Sequence, residues 1–306
     1  MKKIVGILFV AIFFKLSFAW SCSAAGFHLT NPAPYFQIGG TMTDTFSVVV
    51  NANTTAAACD YFVTFDYGSS NSYTNRSVKM GSNTWPYQIS ADTSGLQILK
   101  KKPEATSCSD VLCGTLPQGS FYQTKSQNFT VLIDNTNDWR TAGVYQETVT
   151  ASLYLGTVAN PTFVMSQTLF LTAQSHKRAD VSVVSSGGSF DINKTVYNMS
   201  FANGLTTGAT GTADVVVKFN AGYSLFASSE NAGKLKQTNG NDTIDYTFKM
   251  NGTTYAIPYW TQIATQSGTS PVSGKVNPVV ITIGNTTGKA EGNYSDTISL
   301  TIQSNQ

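Results

Sequence analysis

The chain has 306 residues, 19 basic and 17 acidic; only 12% of it is charged and another 12% is aromatic. Setting aside Lys2, Lys3 and Lys15, which fall in a leader, the balance is 16 basic against 17 acidic, so no basic excess remains for nucleic acid or an anionic membrane surface. The abundance of Thr, Ser, Asn, Gly and aromatic residues favours β-strands joined by polar turns, because branched and aromatic side chains suit a pleated, half-buried surface.

In chain order, the first element is an address. Lys2 and Lys3 precede an apolar run over Ile4–Phe14, and Ser17-Phe18-Ala19 places small residues where a signal peptidase reads them. The run is too short for a membrane span and ends at Lys15. Residues 1–19 are therefore predicted to be a signal peptide, with Trp20 the first residue after the cut, and the protein to be exported. The bulky Trp20 ring before Cys22 argues against lipid attachment. A remainder of about 287 residues is long enough for two domains.

Cys22, Cys59, Cys108 and Cys113 all fall in the first half. An even count in an exported chain argues for disulfides. Cys108 and Cys113 are close enough for a local bridge, which leaves Cys22 for Cys59, although four cysteines permit three connectivities. A four-thiolate zinc site needs two closely spaced ligand pairs, and only one such pair is present.

Short runs of alternating apolar residues bounded by Gly, Asn and Pro then recur: Phe46–Val50, Tyr61–Phe65, Phe129–Ile133, Tyr145–Leu155, Val215–Phe219, Tyr246–Met250, Val279–Ile283 and Tyr294–Ile302. No run of helical period exceeds about two turns. The spacing predicts an all-β protein of immunoglobulin-like β-sandwiches. Two stretches repeat each other. Phe129–Leu155 and Val279–Ile302 each carry an apolar strand, a polar loop, and Gly-x-Tyr-x-acid-Thr leading into a second alternating strand. Gly143 falls on Gly292, Tyr145 on Tyr294, Glu147 on Asp296 and Val149 on Ile298. The Gly-x-Tyr start is that of a tyrosine corner, so the chain reads as a duplicated sandwich, 20–175 and 176–306, divided at the polar stretch Gln174–Ala179.

Past that second strand the copies differ. After Leu155 the first continues through Asn160-Pro161 to another strand-like run, Phe163–Leu171, which can pair back; after Ile302 the second has only four polar residues. The second sandwich is therefore predicted to lack its final strand and to leave an apolar groove that another chain fills, or else to close itself with a different strand order. Cys22, two residues past the inferred cut, leaves no disposable strand at the start to donate. Such a chain accepts a strand and gives none.

Conspicuous catalytic patterns are missing. His28 and His176 lie in no metal-ligand spacing, and neither a nucleophile elbow nor a phosphate-binding glycine loop occurs. Asp134–Asp138 lacks the glycine and distal Glu of a calcium loop. No enzyme, metal or cofactor is predicted. Sequons such as Asn53-Thr-Thr and Asn285-Thr-Thr are the chance product of an Asn- and Thr-rich chain.

Thr212-Ala-Asp-Val-Val-Val-Lys-Phe-Asn-Ala-Gly-Tyr223, Ser228-Ser-Glu-Asn-Ala-Gly-Lys-Leu235, Ile257-Pro258-Tyr259 and Gly292-Asn-Tyr-Ser-Asp-Thr-Ile298 together resemble the spore coat protein U-type pilin domain of archaic chaperone–usher pili. The first half resembles that family more loosely, through Cys22 near the start and Cys59 after a strand. The second half departs from single-domain members in having no cysteines. The resemblance implies a two-domain tip subunit, exported through the periplasm to an extracellular pilus tip. It implies a periplasmic chaperone, an outer-membrane usher and an adjacent pilin as partners, with assembly by strand donation. The accepting surface is then expected at Val215, Val217, Phe219, Ile298, Leu300 and Ile302. Contact with a surface or glycan target is expected at the aromatic loop residues Tyr35, Phe36, Trp85, Tyr87, Phe121 and Tyr122, for each of which core or edge packing is the competing reading.

Overall fold

In the stretch from Phe46 to Ala52 every second side chain is buried, and the same alternation runs from Tyr145 to Leu155. A period of two is the signature of a strand with one face on a core. The computed structural model describes residues 22–37, 42–136, 139–201 and 204–305; the inferred leader and Trp20 lie outside the described residues. The described residues hold strands and no helix.

Ten strands build the first half: β1 (Ser23–Leu29), β2 (Tyr35–Gln37), β3 (Thr43–Asn53), β4 (Cys59–Phe65), β5 (Ser77–Met80), β6 (Asn83–Ser90), β7 (Leu112–Leu116), β8 (Tyr122–Ile133), β9 (Gly143–Gly156) and β10 (Pro161–Ser175). Ten more come after them: β11 (Ala179–Val184), β12 (Thr210–Phe219), β13 (Tyr223–Ser229), β14 (Lys234–Gln237), β15 (Thr243–Met250), β16 (Thr253–Tyr255), β17 (Thr261–Gln266), β18 (Lys275–Ile283), β19 (Tyr294–Ser295) and β20 (Ile298–Ser304).

In the first half the strands join in the order β1-β3-β8-β6-β5-β9-β10-β2, with β4 between β7 and β9, and curl around one core that includes Phe46, Phe65, Trp85, Phe129, Tyr145 and Leu153. In the second half one sheet runs β11-β12-β18-β15-β14-β19, with β16 on β15, and faces a three-stranded sheet β17-β13-β20 across a separate core. The predicted strand Tyr294–Ile302 is divided in the structure. β19 pairs with β14, β20 pairs with β13, and Asp296 sits at the switch between sheets. There its carboxylate accepts hydrogen bonds from Ser229 Oγ and Tyr246 Oη, each at 2.6 Å, and from the Asn231 amide at 3.0 Å. These bonds satisfy polar groups the switch leaves inside. Burial foremost, then the bond to Asp296, raises the Tyr246 phenol above its ordinary range.

Disulfides join Cys22 to Cys59 and Cys108 to Cys113. The first ties β1 to β4 at one end of the first half, where Asn53 pairs with Tyr122. The other end of β8 leads to the second half, so Tyr122 lies roughly 36 Å of extended strand from that joint. Asn220, almost fully buried, pins the joint. Its side-chain amide donates to Arg140 O (2.9 Å) and His176 O (2.8 Å), its Oδ1 accepts from Arg178 N (2.7 Å), and its carbonyl accepts from Ala142 N (3.0 Å). Beside it the Arg178 guanidinium lies 4.5 Å from the centre of the Trp139 ring, which meets Phe190 edge-on.

Candidate functional site

The two copies of the Gly-x-Tyr motif fold alike. Gly143 and Gly292 have φ of 146° and 148°, a left-handed region that favours glycine, and each turns the chain into its strand. Tyr145 Oη donates to Thr141 O at 2.8 Å, and Tyr294 Oη donates to Ala290 O at 2.7 Å, the same corner four residues back.

Beyond the corner they diverge. β9 is paired on both sides, by β4 and β5 on one edge and along fourteen residues by β10 on the other. Its Val149, Ala151 and Leu153 are completely buried. Their counterparts in β20 are Ile298, Leu300 and Ile302, and all three are only half-buried. β20 pairs with β13 alone, and no second strand bonds to it among the described residues. Across from it β11 pairs with β12 alone, and its Ala179, Val181 and Val183 are likewise half-buried against the same core. β11 and β20 approach each other along this seam without a ladder between them. The seam thus presents six partly exposed apolar side chains and, at β20, a strand edge with no ladder partner among the described residues.

Val215, Val217 and Phe219 lie beneath the seam as fully buried members of the second core. They form its floor, whereas Ile298, Leu300 and Ile302 form one wall. The other wall, Val181 and Val183, is absent from the sequence-based expectation. Its signal was the short alternation Val181-Ser182-Val183 just after the boundary, shorter than the runs that stand out by eye.

The aromatic candidates divide. Phe36, Trp85 and Tyr87 are corrected: all three are in the core, on β2 and β6, and offer no surface to a target. Trp85 packs edge-on to Tyr145 and donates from Nε1 to Asp134 O at 2.6 Å. Burial raises the Tyr87 phenol above its ordinary range. Tyr35 is exposed but lies beside β10 near the joint, where its hydroxyl donates to Gln174. Phe121 and Tyr122 remain: they are 70% and 46% exposed, packed edge to face at 5.4 Å, at the end of the first half farthest from the joint. Gly119 N donates to Thr54 O and Thr54 Oγ1 to Pro117 O, fixing the loop that carries them.

Among the described residues no group of three His, Cys, Asp or Glu side chains is arranged to hold a metal ion. The charged group most withdrawn from solvent is Arg76, which donates to the carbonyls of Phe65, Asp66, Ile89 and Leu99. Desolvation lowers its pKa to about 10, and its bonds to backbone carbonyls of β4, β6 and the loops beside them give it a structural role.

No family model matches the chain, and no curated protein does. Among solved structures it is similar to a chain of the CsuC–CsuE chaperone–tip adhesion subunit complex of Acinetobacter baumannii, at 11% identity and TM-score 0.43, over 89% of this chain and 97% of that one. It is also similar to the adhesive subunit CfaE of the CFA/I fimbria of enterotoxigenic Escherichia coli, at 14% identity and TM-score 0.37, over 90% and 92% of the two chains. The CupB6 tip adhesin of Pseudomonas aeruginosa aligns over 91% and 94%, at 8% identity and TM-score 0.37.

Proposed function

We propose that this protein is the tip subunit of a chaperone–usher pilus, accepting a strand in its second half and touching a target with its first. The observation that carries the reading is the seam. The same corner-and-strand unit is completed by β10 in one copy and left with a bare edge at β20 in the other. An occupant of that edge gains backbone hydrogen bonds to β20, and its apolar side chains cover Ile298, Leu300 and Ile302. In export the occupant is lent by a periplasmic chaperone. At the outer-membrane usher it is replaced by an extension of the adjacent pilin, which leaves this subunit at the extracellular end. Phe121 and Tyr122, at the far end, then face the surface or glycan to be bound.

One observation favours a second reading. β11 approaches β20 closely, as it would in a sandwich that closes itself, so the chain would be a self-contained secreted binding module of lectin-like kind. Strand acceptance requires β11 to move aside by about one strand spacing, ~4.8 Å. The discriminating variant extends the chain beyond Gln306 with a copy of residues 157–175, the loop and strand that complete the first half. On the pilus reading, calorimetry gives a second-half transition raised by at least about 10 °C, because the seam becomes covered. An unchanged transition, with β20 amides already protected from exchange in the parent chain, would establish the closed module instead.

A further inference from the structure

Where the two halves meet, the surface folds inward into a cleft of about 690 Å³, the size of a small-molecule site. Its walls come from both halves. The first supplies Asn83, at the start of β6, and the turn that carries Trp139 and Arg140. The second supplies Lys218 of β12 and the loop through Ser270 and Val272. Both walls are held from behind. The Ser270 amide donates to Phe219 O at 2.9 Å and its Oγ accepts from Phe219 N at 3.2 Å, which fixes that loop beside Lys218. On the other side the buried Asn220 amide holds Arg140 O at 2.9 Å.

Most of the lining is hydroxyl, amide or charged; Trp139, Pro271 and Val272 supply the apolar part. An apolar ligand would leave such polar groups unpaired, whereas a sugar offers them hydroxyls. The charge balance narrows the class further. Three cations gather at the cleft and beside it, Arg140, Arg178 and Lys218, with two carboxylates, Asp134 and Asp180. Each carboxylate is taken by a guanidinium, Asp134 by Arg140 and Asp180 by Arg178. Lys218 stands opposite Asp180 in the β11–β12 ladder but makes no ion pair among the described residues. Its ammonium lies 5.4 Å from the centre of the Trp139 ring and 5.8 Å from that of Phe190. Arg140 Nε, also buried here, makes no hydrogen bond. The cleft thus retains one positive charge in excess, in a recess where a charge-assisted bond is stronger than on an open surface.

We infer that this cleft binds a small acidic sugar, one whose ring carries a carboxylate. The carboxylate is received by Lys218, and the ring hydroxyls by Asn83 and Ser270 across the cleft from each other. The site is distinct from Phe121 and Tyr122, and it stands whether or not the seam accepts a strand. Because its walls belong to different halves, a bound sugar bridges the joint and stiffens it.

The test is titration calorimetry on the full chain at low salt with glucuronate, and in parallel with glucose and with inorganic phosphate. Saturable binding of glucuronate is expected, with glucose and phosphate each at least about tenfold weaker. No binding of glucuronate overturns the site. Glucose binding equally well overturns the acidic class, and phosphate binding equally well overturns the sugar. Lys218→Gln on one wall and Asn83→Asp on the other should each weaken glucuronate at least about tenfold, the first by removing the cation and the second by adding a repelling carboxylate. Weakening by only one of them places the ligand on a single half and overturns the bridging cleft. Val272, 92% exposed at the lip, makes no folded contact to lose, so Val272→Glu should weaken glucuronate with the thermal transition unchanged; unaltered affinity counts against the site. Phe121→Ser should leave the affinity as it is. Loss of binding in that variant would put the sugar at the far end and overturn the inference.

Discussion

β9 and β20 begin from the same corner, yet Leu153 is sealed while its counterpart Ile302 is half open. The difference lies in the neighbour. β10 covers one strand along its length, and nothing bonds to the free edge of the other among the described residues. Local sequence sets the corner, the alternation and the face. Burial is decided by whichever strand comes next, and that need not belong to the same stretch of chain. An edge of this kind is a liability in a free protein and an attachment point in an assembly.

The comparison can be broken by truncating one leucine of the strand that closes the first half and one on the open seam. Leu169→Ala, in the strand that closes the first half, is expected to cost about 2–5 kcal/mol by denaturant unfolding. Leu300→Ala, on the open seam, is expected to cost about 1 kcal/mol, since a half-buried side chain removes less apolar area from water. Equal losses would mean the seam is already sealed. Replacing Cys22 and Cys59 together by Ser, which opens a cross-link spanning 37 positions, is expected to lower the first half alone by about 2–4 kcal/mol. The second half, without cysteines, should unfold unchanged. Of the matched corner variants, Tyr145→Phe should cost about 1 kcal/mol, and Tyr294→Phe, whose bond lies at the surface, should cost less.

The smallest effect is one of pH. The hydrogen bond from Lys100 foremost, then the Thr106 amide, lowers the Asp110 carboxyl to about 2. A folded pKa below the unfolded value stabilises fully above about pH 4 and is lost as pH falls through about 2. Asp110→Asn should flatten that acid limb of the first-half stability curve and leave the second half as it was.

Much of the fold was legible. The period of two marked β3, β8, β9, β12 and β18, and the paired Gly-x-Tyr motifs marked both corners, because strand alternation and a glycine-demanding turn are local properties. The misreadings came from tertiary context. Trp85-Pro86-Tyr87 looks like a loop because proline cannot donate to a ladder; in β6 Pro86 is exposed while the rings on either side face the core. Tyr294–Ile302 looks continuous because nothing in its alternation marks the crossing between sheets at Asp296, which depends on Ser229 and Tyr246 from distant strands. Half of the seam escaped notice because β11 is six residues long and its role is set by what fails to lie beside it. For Phe121 and Tyr122 the residue types were suggestive, but only the register of β8 placed them far from the joint.

The Asn220 pin bears on mechanics. Only His176 to Arg178 connect β10 to β11; the buried amide fastens that crossing to the Arg140–Ala142 turn, and Trp139 meets Phe190 beside it, so bending between the halves has to break these contacts. A pull on Phe121 would reach the bare edge of β20 as torque and not be absorbed by slack in a tether. Whatever strand lies along that edge would be loaded in a direction fixed by the clamp. A buried amide and an aromatic contact at a three-residue crossing would thus together limit the angle at which the far end of the molecule can lean.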